Sequence, residues 1–204
     1  MTKIIKAKYK VSRRLRSSVW DTHKDPYKKR NYGPGQHGAA KFVKSSDYGI
    51  HLKAKQLLRA HYGWIVEKQF SNLFTKAAKK RGNTAINFVA LLESRLSTIV
   101  YRLNFAPTIF AARQLISHKH IKVNGKTVNI SSFTVQVGDV VEVKQSSHQI
   151  PMILQGMAKI TRNIPDYLSL EDGKGKLVKL PEDVSSIPYP FEADLNMIVE
   201  HYSR

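Results

Sequence analysis

The run Lys28-Lys29-Arg30 leads straight into Asn31-Tyr32-Gly33-Pro34-Gly35-Gln36-His37-Gly38. Three cations behind a bend of three glycines and a proline are residue types that could hold a phosphate, a metal ion or a nucleic acid. Glycines let a ligand approach the backbone and leave amide donors open. No G-x-x-x-x-G-K-[ST] phosphate loop occurs in the chain. His37 has two readings, stacking on a base or bonding phosphate against holding the turn together.

Other chemistry finds no home. There are eight histidines, but His118-Lys119-His120 places a cation between two would-be ligands, and no acidic cluster accompanies His23, His37, His51 or His61. Glu171-Asp172 and Glu182-Asp183 are sequence neighbours that read as solvated turns rather than an acid–base pair. No nucleophile elbow is present. We therefore expect no catalytic residues, no metal and no cofactor.

The charge narrows the choice. Lys and Arg total 34 against 15 Asp and Glu, a formal net charge of +19. Self-repulsion of that size is most simply offset by a polyanion. Residues 1–60 carry 16 cations and 3 anions, whereas residues 146–204 carry 6 and 8. The front is thus expected to meet the polyanion and the tail to face protein. Tyr9, Trp20, Tyr27, Tyr32 and Tyr48 lie among the front cations, placed either to stack on bases or to anchor the segment. With no cysteine there are no disulfides and no thiolate metal sites. No apolar run approaches the ~18 residues of a membrane span, so no membrane partner is expected. Residues 1–18 lack acids, which fits either an RNA-binding arm or an organelle transit peptide.

The elements that would position these groups can be read from periodicity. Residues 1–45 show no sustained period and read as an extended basic arm ordered against a partner, with a disordered tail or a small irregular fold as alternatives. Residues 46–92 read as a helical domain. Its first helix starts after Ser45-Ser46 and buries Ile50, Ala54, Leu57, Leu58 and His61, leaving Lys55, Gln56 and Arg59 outside. Its second buries Val66, Phe70, Leu73, Phe74 and Ala77 and stops at Gly82-Asn83.

Residues 93–145 read as a separate small module. A helix carries Leu92, Leu96, Ile99, Val100 and Leu103 inward, with Arg95 and Arg102 on one edge. A second helix capped by Thr108 sets Arg113, Gln114 and Ser117 opposite its apolar side. Asn124-Gly125 predicts a type I′ hairpin with Ile121, Val123, Val128 and Ile130 on one face and Lys122 on the other. Arg95, Arg102, Arg113, Lys119 and Lys122 then converge near the helix–hairpin junction, where cations held on rigid elements lose little entropy on gripping phosphates. Residues 146–180 read as an extension with short strands. Residues 181–204 return to the helical domain through a terminal helix bearing Leu195, Ile198, Val199 and Tyr202. The fold class is α+β.

Several strings in order resemble the small-ribosomal-subunit protein S-four (universal uS-four) family of bacteria and organelles: "PGQHG", "SDYG", "EKQF", "LLESRL", "VYRLNF", "AARQLISHKHIKVNGKTVNI", "VGDVVEV" and "IVEHYSR". The resemblance implies a structural protein, not an enzyme, that is a primary binder of small-subunit ribosomal RNA and nucleates assembly of the subunit body. It implies ribosomal proteins S-five and S-three as neighbours, messenger RNA at the entry channel, and a contribution to translational accuracy. The location implied is the cytoplasmic small ribosomal subunit, or its organellar counterpart. Residues 93–145 resemble the S-four RNA-binding module, two helices on a small twisted antiparallel sheet.

Carried over onto this chain as RNA contacts are Lys8, Lys10, Arg13, Arg14, Gln36, His37, Tyr48, Lys53, Lys55, Gln56 and Arg59. From the module come Arg95, Arg102, Arg113, Gln114, Ser117, His118, Lys119 and Lys122. Some members of the family bind zinc through N-terminal cysteines; this chain has none, so RNA or packing must hold its Trp20–Lys29 loop. The stretch "QSSHQIPMILQGM" also lacks the basic character expected after the module. An RNA-modifying enzyme borrowing the module is the rival reading, but only 59 residues follow position 145 to house a catalytic domain. No helix-turn-helix favours a DNA binder.

Overall fold

The structure, a computed structural model, describes residues 7, 9–20, 22, 24–39, 45–158 and 162–203. In chain order the helices are α1 (Lys10–Leu15), α2 (Asp47–His61), α3 (Glu67–Ala78), α4 (Thr84–Glu93), α5 (Leu96–Arg102), α6 (Ile109–Ser117), α7 (Pro151–Ala158) and α8 (Leu195–Ser203). The strands are β1 (Ile121–Val123), β2 (Lys126–Thr127), β3 (Val140–Val143), β4 (Leu168–Glu171) and β5 (Lys174–Leu177). The architecture is α+β and divides into two compact units, residues 1–76 with 189–204, and residues 77–188.

In the first unit, α2 begins where the sequence predicts: Ser46 Oγ accepts from the Gly49 amide at 3.3 Å, and Asp47 complements the positive helix end. A terminal helix as short as α8 is marginal alone. It docks on α2 and buries Leu195 and Ile198. The Tyr202 ring stacks on Phe74 at 4.7 Å between centroids. The segment expected to be extended instead contains α1, whose Val11 and Leu15 are buried. Val19 and Trp20 follow them inside; Trp20 Nε1 donates to the His61 carbonyl at 3.3 Å, and His61 Nδ1 lies 3.0 Å from the Val19 carbonyl. The i,i+4 spacing of Val11 and Leu15 is a genuine helical signal, hidden in the sequence by the cations around it.

The second unit differs from the sequence reading in how its helices break. α3 ends at Ala78, and Asn83 starts the next helix, its side chain accepting from Ala85 at 2.8 Å and Ile86 at 3.4 Å. The single helix expected through Leu92 and Leu103 is interrupted at Arg95, whose ψ of 134° is extended. Arg95 bridges Thr134 antiparallel, and the amides of Leu96 and Ser97 donate to the carbonyls of Phe133 at 2.8 Å and Ser131 at 3.3 Å. The first amides of α5 thus find acceptors in a crossing segment, where a helix start would otherwise need a side-chain cap. The same pairing draws the chain out of the hairpin. β2 stops at Thr127, and Ile130, expected on the buried face, is 58% exposed.

The sheet order is β2-β1-β3-β5-β4, antiparallel throughout. Alternation puts Ile121 opposite Val143 and Val123 opposite Val141 on the buried face, and Lys122 opposite Glu142 on the other. Gly175 of β5 stands opposite Val141 beneath Leu103; a Cβ there would meet Leu103 Cδ1 at 2.1 Å. The hairpin turn is as predicted, with φ of 49° at Asn124 and 76° at Gly125. Asn124 also reaches the next turn: Nδ2 donates to Asp139 Oδ1 at 2.8 Å, and Oδ1 accepts from the Val140 amide at 2.9 Å. Two turns far apart in sequence are locked side by side.

Candidate nucleic-acid interface

In the first unit the glycine bend is held by Arg13. Its Nε donates to the Tyr32 carbonyl at 3.1 Å and Nη2 to the Gly33 carbonyl at 2.8 Å, while its guanidinium lies 4.8 Å from the centre of the Tyr32 ring. The bend closes on itself: a Cβ on Gly38 would sit 2.0 Å from the Gly33 carbonyl oxygen. Gln36 and His37 are exposed at its tip. The spacing Gly33-x-Gly35-x-x-Gly38 has the letters of a dinucleotide fingerprint. However, a 3₁₀ turn over Pro26–Lys28 precedes it in place of a strand, so the fingerprint's structural context is missing. Lys10 and Arg14 are exposed on α1, and Lys8 lies outside the described residues.

On α2, Tyr48 is 60% exposed with its ring 5.6 Å from that of His201, Lys53 is exposed, and Gln56 is half-buried. Lys55 and Arg59 have turned inward. Lys55 Nζ donates to Glu67 Oε1 at 2.9 Å, Arg59 Nη1 engages Glu67 Oε2, and the Tyr202 hydroxyl donates to Oε1 at 2.8 Å. Burial pulls the Glu67 carboxyl upward, but hydrogen bonds from Lys55, Tyr202 and Arg59 together with the charge of Lys55 win, so it sits below the ordinary glutamate range. Two of the cations read as RNA contacts therefore bind α2 to α3 and, through Glu67, to α8.

The second unit carries the denser constellation. Arg95 is 8% exposed, and among the described residues no carboxylate pairs with it. Burial first, and the charge of Arg113 second, push its guanidinium pKa down to about 10. Burial also lowers that of Arg113. One turn along α6, Ser117 Oγ donates to the Arg113 carbonyl at 2.8 Å. Gln114, His118 and Lys119 are exposed at the end of that helix, and Lys122 is half-buried on β1. Lys119 adopts φ of 64°, turning the chain from helix to strand.

Arg102 does not share this edge. It is 3% exposed, its Nε and Nη2 donate to Glu93 at 3.2 and 2.8 Å, and its Nη1 donates to the Pro188 carbonyl at 3.2 Å. The Tyr167 hydroxyl donates to the same carboxylate at 2.8 Å. The break at Arg95 rotates α5 relative to the helix expected, sending Arg102 inward to its acid. Residues through Pro188 belong to the second unit, and the tail belongs to the first from Tyr189 onward.

Sequence reasoning passed over Glu67 and Glu93, the acids that decide which cations are internal. It also passed over Arg162, which donates to the carbonyls of Tyr101 at 3.1 Å, Ala106 at 2.7 Å and Pro107 at 3.0 Å and so closes the turn after α5. Only the lone acid Glu67 amid cations was a usable signal. Among the described residues no group of three or more His, Asp or Glu is placed to hold a metal ion, and no helix is long and apolar enough to cross a membrane.

The arrangement is a set of cations fixed on helix ends and tight turns. Residues 3–93 match the family described as ribosomal protein S4/S9 N-terminal domain, and residues 94–141 match the S4 domain. The chain is 55% identical over 206 aligned positions to the small ribosomal subunit protein uS4 of Orientia tsutsugamushi. It is 54% identical over 206 positions to those of Rickettsia massiliae and Rickettsia rickettsii. In all three comparisons 100% of each chain is covered. Two consecutive domain matches and full-length identity at this level leave one conclusion: the chain belongs to the small ribosomal subunit protein uS4 family.

Proposed function

We propose that this protein is a structural, primary binder of small-subunit ribosomal RNA that helps nucleate assembly of the subunit body, and that it is not an enzyme. The observation that carries the reading is Arg95: a nearly buried guanidinium with no carboxylate paired to it among the described residues, beside a second arginine. Such a group costs stability in the free protein and is rewarded when a phosphate takes the missing place. The proposed contact groups it with Arg113, Gln114, Ser117, His118, Lys119 and Lys122 of α6, the following turn and β1. In the first unit Lys10, Arg14, Gln36, His37, Tyr48, Lys53 and Gln56 form the second contact, with Arg13 shaping the bend. Arg102, Lys55 and Arg59 are left as scaffold.

The location that follows from the family is the small ribosomal subunit. Neighbours S-five and S-three, messenger RNA at the entry channel and a part in translational accuracy belong to the same proposal. A protein neighbour is supported by an open, mostly apolar groove lined by Ile50, Leu57, Phe191 and Met197 together with Lys53, Glu192 and Asp194. Chemical footprinting of small-subunit RNA with the purified chain tests the reading. The expected result is a discrete, saturable set of protections at one protein per RNA; equal affinity for unrelated RNA would overturn it.

A further inference from the structure

A third cationic surface lies outside both of these regions. Lys79, Lys80 and Arg81 are consecutive and exposed, and among the described residues none of them forms an ion pair. They fall in a stretch, residues 68–92, that carries five cations and no acid. A merely soluble helical face interleaves both signs, since i,i+4 acid–base pairs stabilise it; this one does not.

Their backbone is fixed. The Asn87 side-chain amide donates to the Lys80 carbonyl at 3.5 Å and the Arg81 carbonyl at 3.2 Å, and Asn83 caps α4. Between them Gly82, at φ of 99°, has nothing within 4 Å of where a Cβ would stand. The loop thus presents a bare backbone step beside three cations. The C-terminal end of α3 favours a cation at Lys79 or Lys80, but Arg81 precedes the positive N-terminal end of α4, where a cation is disfavoured and an anion welcome.

We propose that Lys79, Lys80 and Arg81 form a further phosphate-backbone contact with the ribosomal RNA, separate from those of α6 and of the glycine bend. Ribosomal RNA, not an acidic protein, is the occupant because the neighbouring Ala78, Gly82 and Asn83 offer no aromatic or large aliphatic anchor of the kind protein interfaces need. Cations without anchors position a backbone and read no sequence. The inference rests on the RNA-binding reading above.

The test uses the full chain and small-subunit RNA. The variant combining Lys79→Gln, Lys80→Gln and Arg81→Gln is compared with wild type by filter binding across a salt series and by backbone footprinting. The slope of log affinity against log salt is expected to fall by about 2, with protections lost at one backbone segment and retained elsewhere. A companion with Lys79→Arg and Lys80→Arg should keep the wild-type slope, and unchanged circular dichroism guards against misfolding. If the glutamine variant keeps both slope and footprint, this contact is overturned and the other two stand. If wild type itself gives no specific footprint, this inference falls together with the RNA-binding reading.

Discussion

Arg102 and Glu93 hold one another inside the second unit, Nη2 to Oε1 at 2.8 Å, with both side chains almost closed to solvent. Removing one partner strands a buried charge. Arg102→Met is expected to cost about 3–5 kcal/mol in urea denaturation. Combining it with Glu93→Leu should recover part of that loss, the remainder reflecting the orphaned Tyr167 hydroxyl. Equal losses in the single and double variants would show that the pair is not acting as a pair.

Arg95 should behave in the opposite sense. Arg95→Met removes a desolvated charge that no carboxylate among the described residues pairs with, so the free protein is expected to gain about 1–3 kcal/mol while its RNA affinity falls. The pH dependence has a definite sign. Below about pH 10 the guanidinium is charged in both folded and unfolded states and the penalty is full. Above it, the unfolded chain holds more protons than the folded one, and wild-type stability rises toward that of the variant. Denaturant midpoints for both proteins between pH 8 and 11 should converge. A gap constant across that range would place Arg95 in a better-solvated setting than its burial implies.

Glu67 gives a second pH test at the acidic end. Its folded pKa is depressed, so its contribution is complete above the unfolded value of about 4.3 and is lost as pH falls through the lower folded value. The carboxylate is partly exposed, which limits the effect of Glu67→Gln at pH 7 to about 0.5–1 kcal/mol. Hydrogen exchange should show the loss most clearly in α8, where Tyr202 is anchored. The difference between the two proteins should shrink as pH falls below the unfolded value and through the lower folded one, and a difference that does not change with pH would point to shape rather than charge.

Gly38→Ala probes the bend. The new methyl would land on the Gly33 carbonyl, a backbone atom that cannot swing aside. We expect loss of the RNA footprint attributed to residues 33–38, roughly a tenfold weaker affinity, equal to about 1.4 kcal/mol, and unchanged helical circular dichroism. Arg13→Lys should give a milder version, because lysine cannot serve both carbonyls with one planar fork. Full affinity in Gly38→Ala would remove the bend from the interface.

What could be read in advance was local. Ser46 and Thr108 cap their helices, and Asn124-Gly125 turns its hairpin, because those signals act within a few residues. What could not be read depended on partners distant in the chain. The helix break at Arg95 is imposed by residues 131–135, and Arg102 points inward because Glu93 and Pro188 receive it. Lys55 and Arg59 look like surface charge until α3 brings Glu67 to them. Periodicity sorts many apolar residues, although Ile50, Val66 and Ile130, expected inside, lie exposed, and it cannot say whether a cation meets water, a carboxylate or a phosphate.

The middle place of β3 bears on how the protein is made. One side of β3 is satisfied by β1, already synthesised, but the other must wait for β5, which begins at Lys174. During translation a chain that has released Val143 yet not Leu177 displays an open row of amides and carbonyls, an invitation to pair with a stranger. Stalling or truncation between these points would produce the species most prone to clump, which makes the late hairpin a guardian of the nascent molecule.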